Sequence, residues 1–128
     1  MMRGRPIAAA FVAACALSTT VAAQTPTTAS PPNPAHAAYE TAIRCFVANG
    51  HARGERRTAG DATGAARYDA QSRQAFDAAV KLGQTLHYSN ERVNGDLGRL
   101  MDRELPLMVR DPAYFRQVVA SCRAYGLM

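Results

Sequence analysis

The chain lacks most of what marks an enzyme. It has no Cys-x-x-Cys pair, and so neither the dithiol redox motif nor the heme-attachment motif built on one. Ser72 and Ser121 fall inside helical patterns, without the Gly-x-Ser-x-Gly elbow that presents a nucleophilic serine. The three histidines, His36, His51 and His87, form no metal-binding pattern with one another or with the cysteines. Surface positions are expected for them, His36 at the frayed start of a helix and the other two in polar connections. Neither a metal nor a cofactor is expected, and the sequence speaks against catalysis.

Strand signals are missing as well. Apolar and polar residues never alternate for more than a few positions, and Asn49-Gly50 and Asn94-Gly95 sit in helical contexts rather than between β-branched runs. Lysine is nearly absent, one against fourteen arginines, which reads mainly as a base-composition bias of the genome. The formal charge of +5 includes Arg3 and Arg5 and falls to +3 without them, too small an excess to imply nucleic acid. No apolar run approaches the 20 or so residues that span a bilayer, so no transmembrane helix is expected in the mature chain.

What is present begins at the N-terminus. Arg3 and Arg5 precede the apolar run Ile7 to Leu17, and Val21-Ala22-Ala23 closes it with small residues. This is the order of a secretory signal peptide, residues 1–23. Val12-Ala13-Ala14-Cys15 resembles the lipobox of bacterial lipoproteins, but only about six apolar residues precede Cys15, short against the usual 7–15. Cleavage after Ala23 is therefore the preferred reading, and either route exports the same domain, with the periplasm as the expected compartment. Residues 24–34, containing TPTTASPPNP, hold too little apolar surface to bury and read as a disordered linker. That leaves 35–128 as one domain.

A domain this small has a thin core and often needs a staple. With Cys15 assigned to the signal, Cys45 and Cys122 remain as an even pair in an oxidising compartment, which predicts one disulfide. Closing a loop of roughly 78 residues contributes about 4.5 kcal/mol on the chain-entropy model.

The helical pattern has four parts. Asn33-Pro34 starts the first, with Ala35, Tyr39, Ala42/Ile43 and Phe46 as its apolar stripe and Cys45 at the stripe's edge. Asn49-Gly50 is its expected end, although it could run on toward Arg57, and His51 to Gly64 is expected as a loop. The second runs from about Ala65 to Thr85, weakened by Gly83. Ser89 caps the third, whose stripe is Val93, Leu97, Leu100/Met101 and Glu104/Leu105. Pro106 should kink or end it, leaving Leu107-Met108-Val109 as a bridge. Asp111-Pro112 starts the fourth, which carries Phe115, Val118/Val119 and Cys122 and stops at Gly126. The expected fold is all-α, a bundle of about four helices with one disulfide between the first and the last.

Candidate sites are few. Asp96, Asp102 and Glu104 interleave with Arg92, Arg99 and Arg103 at spacings that predict ion pairs on a solvated face. Arg53, Arg56 and Arg57, in a flexible loop, could meet an anionic surface: lipid headgroups, lipopolysaccharide or an acidic partner. Tyr114 and Tyr125, with Leu107, Met108, Leu127 and Met128, could leave an apolar patch. The plan as a whole is similar to that of the acid-stress chaperones of the bacterial periplasm. The likeness is architectural and rests on no motif; the linker and the arginine-rich surface depart from it, and no functional residue carries over. The expectation is a small exported protein that acts by binding an envelope protein or an anionic surface. A chaperone-like role or a lipid-anchored one are the alternatives.

Overall fold

The four helix starts each place a side-chain acceptor on backbone donors that have no partner inside the helix. Asn33 accepts from Ala35 N–H at 3.0 Å, Asp61 from Gly64 at 2.8 Å, Ser89 from Arg92 at 3.2 Å, and Asp111 from Ala113 and Tyr114 at 2.9 and 3.1 Å. The helices that follow are α1 (Pro34–Thr58), α2 (Ala62–Thr85), α3 (Asn90–Arg110) and α4 (Pro112–Ala124). This computed structural model describes residues 30–128, and Pro31–Met128 form one compact unit. The expected signal peptide, Cys15 and most of the expected linker fall outside the described residues. Among those described there is no strand, and no helix is long and apolar enough to cross a membrane.

Three helices stop in the same way. Gly60, His87 and Gly126 stand just past the ends of α1, α2 and α4 with φ of +73°, +58° and +68°. In each case the next residue reaches back to the carbonyl five positions earlier: Asp61 to Arg56, Tyr88 to Gly83, and Leu127 to Cys122, all at 2.9 Å. This is the Schellman closure, which satisfies carbonyls that the helix leaves open. Histidine holds this left-handed position at α2, where glycine would be unstrained.

Of the two ends the sequence allows for α1 the longer one is observed, and the end of α3 differs from the sequence reading. Asn49-Gly50 does not end α1; the helix continues through His51 to Thr58, and the loop shrinks to Ala59-Gly60-Asp61. Asn49 and Ala52 are buried there, so packing against the neighbouring helices outweighs the poor propensity of Gly50 and Gly54. Pro106 does not end α3 either. The helix passes through it to Arg110, because Glu104 and Met108 on either side are buried while Pro106 faces solvent. The proline still removes one backbone donor, and tertiary burial must offset it.

α1 is the centre of the bundle, in contact with α2, α3 and α4. Its buried side is accordingly wide: Tyr39, Ala42, Ile43, Cys45, Val47, Ala48, Asn49 and Ala52. Cys45 is fully buried, not at an edge, while Phe46 is only partly covered, beside Phe76 at 6.0 Å between ring centres. At the far end of α2, Gly83 lets three helices meet. A methyl group on it would stand 2.8 Å from Val93 of α3 and 3.4 Å from Tyr39 of α1. The glycine that weakens the helix is what this crossing requires.

Cys45 and Cys122 are bonded, with Cα atoms 5.5 Å apart, joining α1 to α4. One turn on from Cys45, the buried Asn49 amide donates to the carbonyls of Cys45 at 2.9 Å and Leu127 at 2.8 Å. Covalent link and hydrogen bonds thus fasten α4 and the residues after it to the middle of α1. The double variant Cys45→Ala/Cys122→Ala should lose about 3–4 kcal/mol of unfolding free energy, a large share of what so small a domain has. Urea unfolding followed by circular dichroism, oxidised wild type against variant, measures it.

Candidate functional site

The charged residues fall into two groups that behave differently. On α3, Asp96 and Glu104 lie on the buried side, which corrects the expectation of a solvated face. Asp96 accepts the Tyr39 hydroxyl at 2.9 Å and pairs with Arg99 and, at 3.7 Å, with Arg92. Glu104 accepts from the Tyr114 hydroxyl and from Arg103 at 2.8 Å, and Arg44 approaches it at 3.4 Å. Asp102 stays exposed and takes no arginine. The spacing was legible, but which carboxylates turn inward depends on where the tyrosines of α1 and α4 arrive.

Between α1 and α3 these groups line a hollow of about 200 Å³, with His36, Tyr39 and Glu40 facing Arg92, Asp96, Arg99 and Arg103. Convergent ionisable side chains are what proton-transfer chemistry needs. Here each is already engaged. Arg92 and Arg99 answer Asp96, Arg103 answers Glu104, and His36 meets the Tyr88 hydroxyl at 2.9 Å and Glu40 at 3.6 Å. Arg92 also lies 3.6 Å over the Tyr88 ring. The arrangement fastens α3 to α1 through the buried, charge-assisted Tyr39–Asp96 bond, while Tyr114–Glu104 fastens α3 to α4.

His51 is another departure. It sits within α1 with its ring edge-on to Phe115 of α4, 4.8 Å between centres, and 3.5 Å from Glu55, rather than in a polar connection. No three His, Cys, Asp or Glu side chains among the described residues come together as a metal site.

The three arginines singled out from the sequence lie on the last turns of α1, not on a flexible loop, and they part company. Arg53 turns toward α2 and pairs with Asp69, which also takes Arg73. The hydrogen bond from Arg53 is the main cause that holds the Asp69 carboxyl below its ordinary range. Arg56 stands 3.5 Å from Asp61, and Arg57 is exposed without an ion pair.

Arg56 belongs to a different constellation. α2 and α4 both pack on α1 but not on each other, and the gap between them is a groove of about 370 Å³. Its walls are Ala52, Tyr68, Phe115, Val119, Ala120 and Met128, and Arg56, Arg116 and Arg123 stand around it with Glu55. A smaller hollow of about 190 Å³ shares Tyr68, Arg123 and Met128 and adds Arg67 and Gln71. Arg67 lies 4.9 Å over the Tyr68 ring. None of Arg67, Arg116 and Arg123 forms an ion pair within the described residues. Three arginines without an ion pair, from α2 and α4, thus stand together around this groove, while Arg57, Lys81 and Arg110, also unpaired among the described residues, lie outside its lining.

The apolar patch expected near the C-terminus is broken up. Met108 and Leu127 are core residues, Tyr114 is tied to Glu104, and only Leu107, Val109 and Tyr125 of that region are well exposed. No protein-family model, curated protein or solved structure matches the chain.

For Glu104, burial alone would raise its carboxyl, but hydrogen bonds from Tyr114 and Arg103 and the charges of Arg44 and Arg103 outweigh it and hold it below the ordinary glutamate value. Burial, reinforced by Glu104, pushes the Tyr114 hydroxyl up. A carboxyl lowered in the folded state adds stability that is present above its unfolded pKa, about 4.3, and disappears as pH falls through the folded value. Glu104→Gln should cost about 2 kcal/mol at pH 7, since it removes the buried charge that Tyr114 and the partly exposed Arg44 and Arg103 bond to. It should also flatten the decline of stability below pH 4. Urea unfolding of both proteins at pH 7 and pH 3 checks the two statements together.

Proposed function

We propose that the protein is exported and acts by binding rather than by catalysis, and that its binding surface is the arginine-bordered groove between α2 and α4. The disulfide supports export, since such bonds persist in oxidising compartments. The observation that carries the binding reading is the sorting of charge. Arg92, Arg99 and Arg103 of α3 pair with buried carboxylates, whereas Arg67, Arg116 and Arg123 stand unpaired around a partly apolar hollow. Unpaired cations over exposed apolar surface attract an anionic surface and gain little within the folded chain itself. Of the residues expected to make this contact, Arg56 lines the groove, Arg57 is exposed but does not line it, and Arg53 is committed to Asp69.

Each arginine near an anionic lipid surface contributes about 1 kcal/mol. Replacing Arg56, Arg116 and Arg123 together by Gln should therefore weaken binding to phosphatidylglycerol vesicles about a hundredfold at low salt. Arg53→Gln should change it little. Vesicle co-sedimentation at two salt concentrations measures both, and equal binding by wild type and triple variant would remove the proposal.

A second reading, a chaperone-like protein that opens in acid, draws support from one feature. Two buried carboxylates, Asp96 and Glu104, fasten the same helix, and protonation of Glu104, whose carboxyl is held low, would loosen α3 from Tyr114 and Arg103 and uncover core. It requires dye-accessible apolar surface to rise below about pH 4, where a lowered carboxyl begins to protonate; unchanged dye binding from pH 7 to pH 3 would exclude it.

A further inference from the structure

The groove differs from a flat electrostatic contact in shape as well as charge, and this difference points to a narrower class of ligand. The inference rests on the anionic-surface reading above. Its floor is apolar and partly aromatic, made by Tyr68, Phe115, Val119 and Met128, while its charged residues border it from α1, α2 and α4. Its volume, about 370 Å³ with a further hollow of about 190 Å³ sharing Tyr68, Arg123 and Met128, lies within the range of small-molecule sites. A membrane surface would touch the arginines but leave the floor empty. A peptide would bring backbone amides onto walls made by helices, whose own backbone groups are internally bonded, and would leave those amides unpaired. A hydrocarbon chain has no such groups to satisfy, and its burial on this floor is favourable.

We infer that the groove between α2 and α4 takes one molecule of a single-chain anionic amphiphile, its alkyl chain on Tyr68, Phe115 and Val119 and its carboxylate or phosphate head held by Arg116 and Arg123. Arginine suits the second role because its fork can meet a carboxylate or phosphate with two parallel hydrogen bonds. Arg67, held over the Tyr68 ring, adds positive charge on the α2 side. Glu55, 3.5 Å from His51, is the acidic side chain at the groove and sets a preference for ligands whose charge sits away from the α1 wall.

The test is calorimetric titration of the exported protein, disulfide intact, with dodecanoate below its micelle concentration. Dodecyltrimethylammonium and inorganic phosphate are run beside it. Dodecanoate should bind saturably at one site, and the other two at least tenfold more weakly. Arg116→Gln/Arg123→Gln should lower dodecanoate affinity at least tenfold. Ala120→Trp, an exposed position on the groove wall, should block it with the helical circular dichroism unchanged. No saturable dodecanoate binding, equal binding of the cationic analogue or of phosphate, or retained affinity in the arginine variant would each overturn the inference. If vesicle binding remains sensitive to Arg56, Arg116 and Arg123 while dodecanoate does not bind, the anionic-surface reading stands and this one falls. If vesicle binding is insensitive too, both fall.

Discussion

Everything in the bundle is organised by α1, and the difficulty it creates is that its neighbours do not all support one another. α2 is joined to α1 in sequence by a three-residue turn and lies along it. α4 has no contact with α2, so its hold on the bundle is its packing on α1 and α3, the tie of Tyr114 to Glu104, and the Cys45–Cys122 bond. A short helix of thirteen residues buries only Val118 and Cys122 outright. Hydrophobic burial of that extent does not hold a helix firmly. The covalent link is placed where noncovalent area is least.

The same geometry explains the groove. Had α2 and α4 been adjacent in a closed four-helix ring, Tyr68, Phe115, Val119 and Met128 would have met one another and vanished into a core. Because α2 and α4 do not pack on each other, their flanks remain facing across a gap, and Arg67, Arg116 and Arg123 form no ion pair there. On the α3 side the reverse holds, with carboxylates arriving beneath the arginines and tyrosines closing the network. One small surplus of positive charge is thereby divided into a neutralised side and an unsatisfied one.

How far the sequence discloses this depends on whether the deciding contact is local. Caps are local, and Asn33, Asp61, Ser89 and Asp111 mark the helix starts; Ser89, Asn33 and Asp111 were read correctly, while Asp61 was hidden inside what looked like a polar loop. The pairing of Cys45 with Cys122 follows from parity once an oxidising compartment is expected. The sequence leaves open whether α1 runs past Gly50 and points to a kink or stop of α3 at Pro106; what decides both is burial of Ala52 and Met108 by distant helices, which overrides the local penalty. The arginine cluster shows the same limit. Arg53, Arg56 and Arg57 are neighbours in sequence, but a helix turns them to different partners. Arg116 and Arg123 drew no notice, since they stand apart and each alone is unremarkable. A signal was available: neither they nor Arg67 has an acidic residue three or four positions away, so local pairing could not satisfy them.

The chain has no tryptophan and five tyrosines, so its near-ultraviolet absorption and intrinsic emission come chiefly from phenol rings. Two of the five, Tyr39 and Tyr114, donate to carboxylates of α3 from two different helices. A phenol that loses such a partner changes its optical environment, and no tryptophan in the chain overlies the change. The docking of α3 is thus written into the protein's own spectrum, where separation of that helix can be followed without attaching any probe.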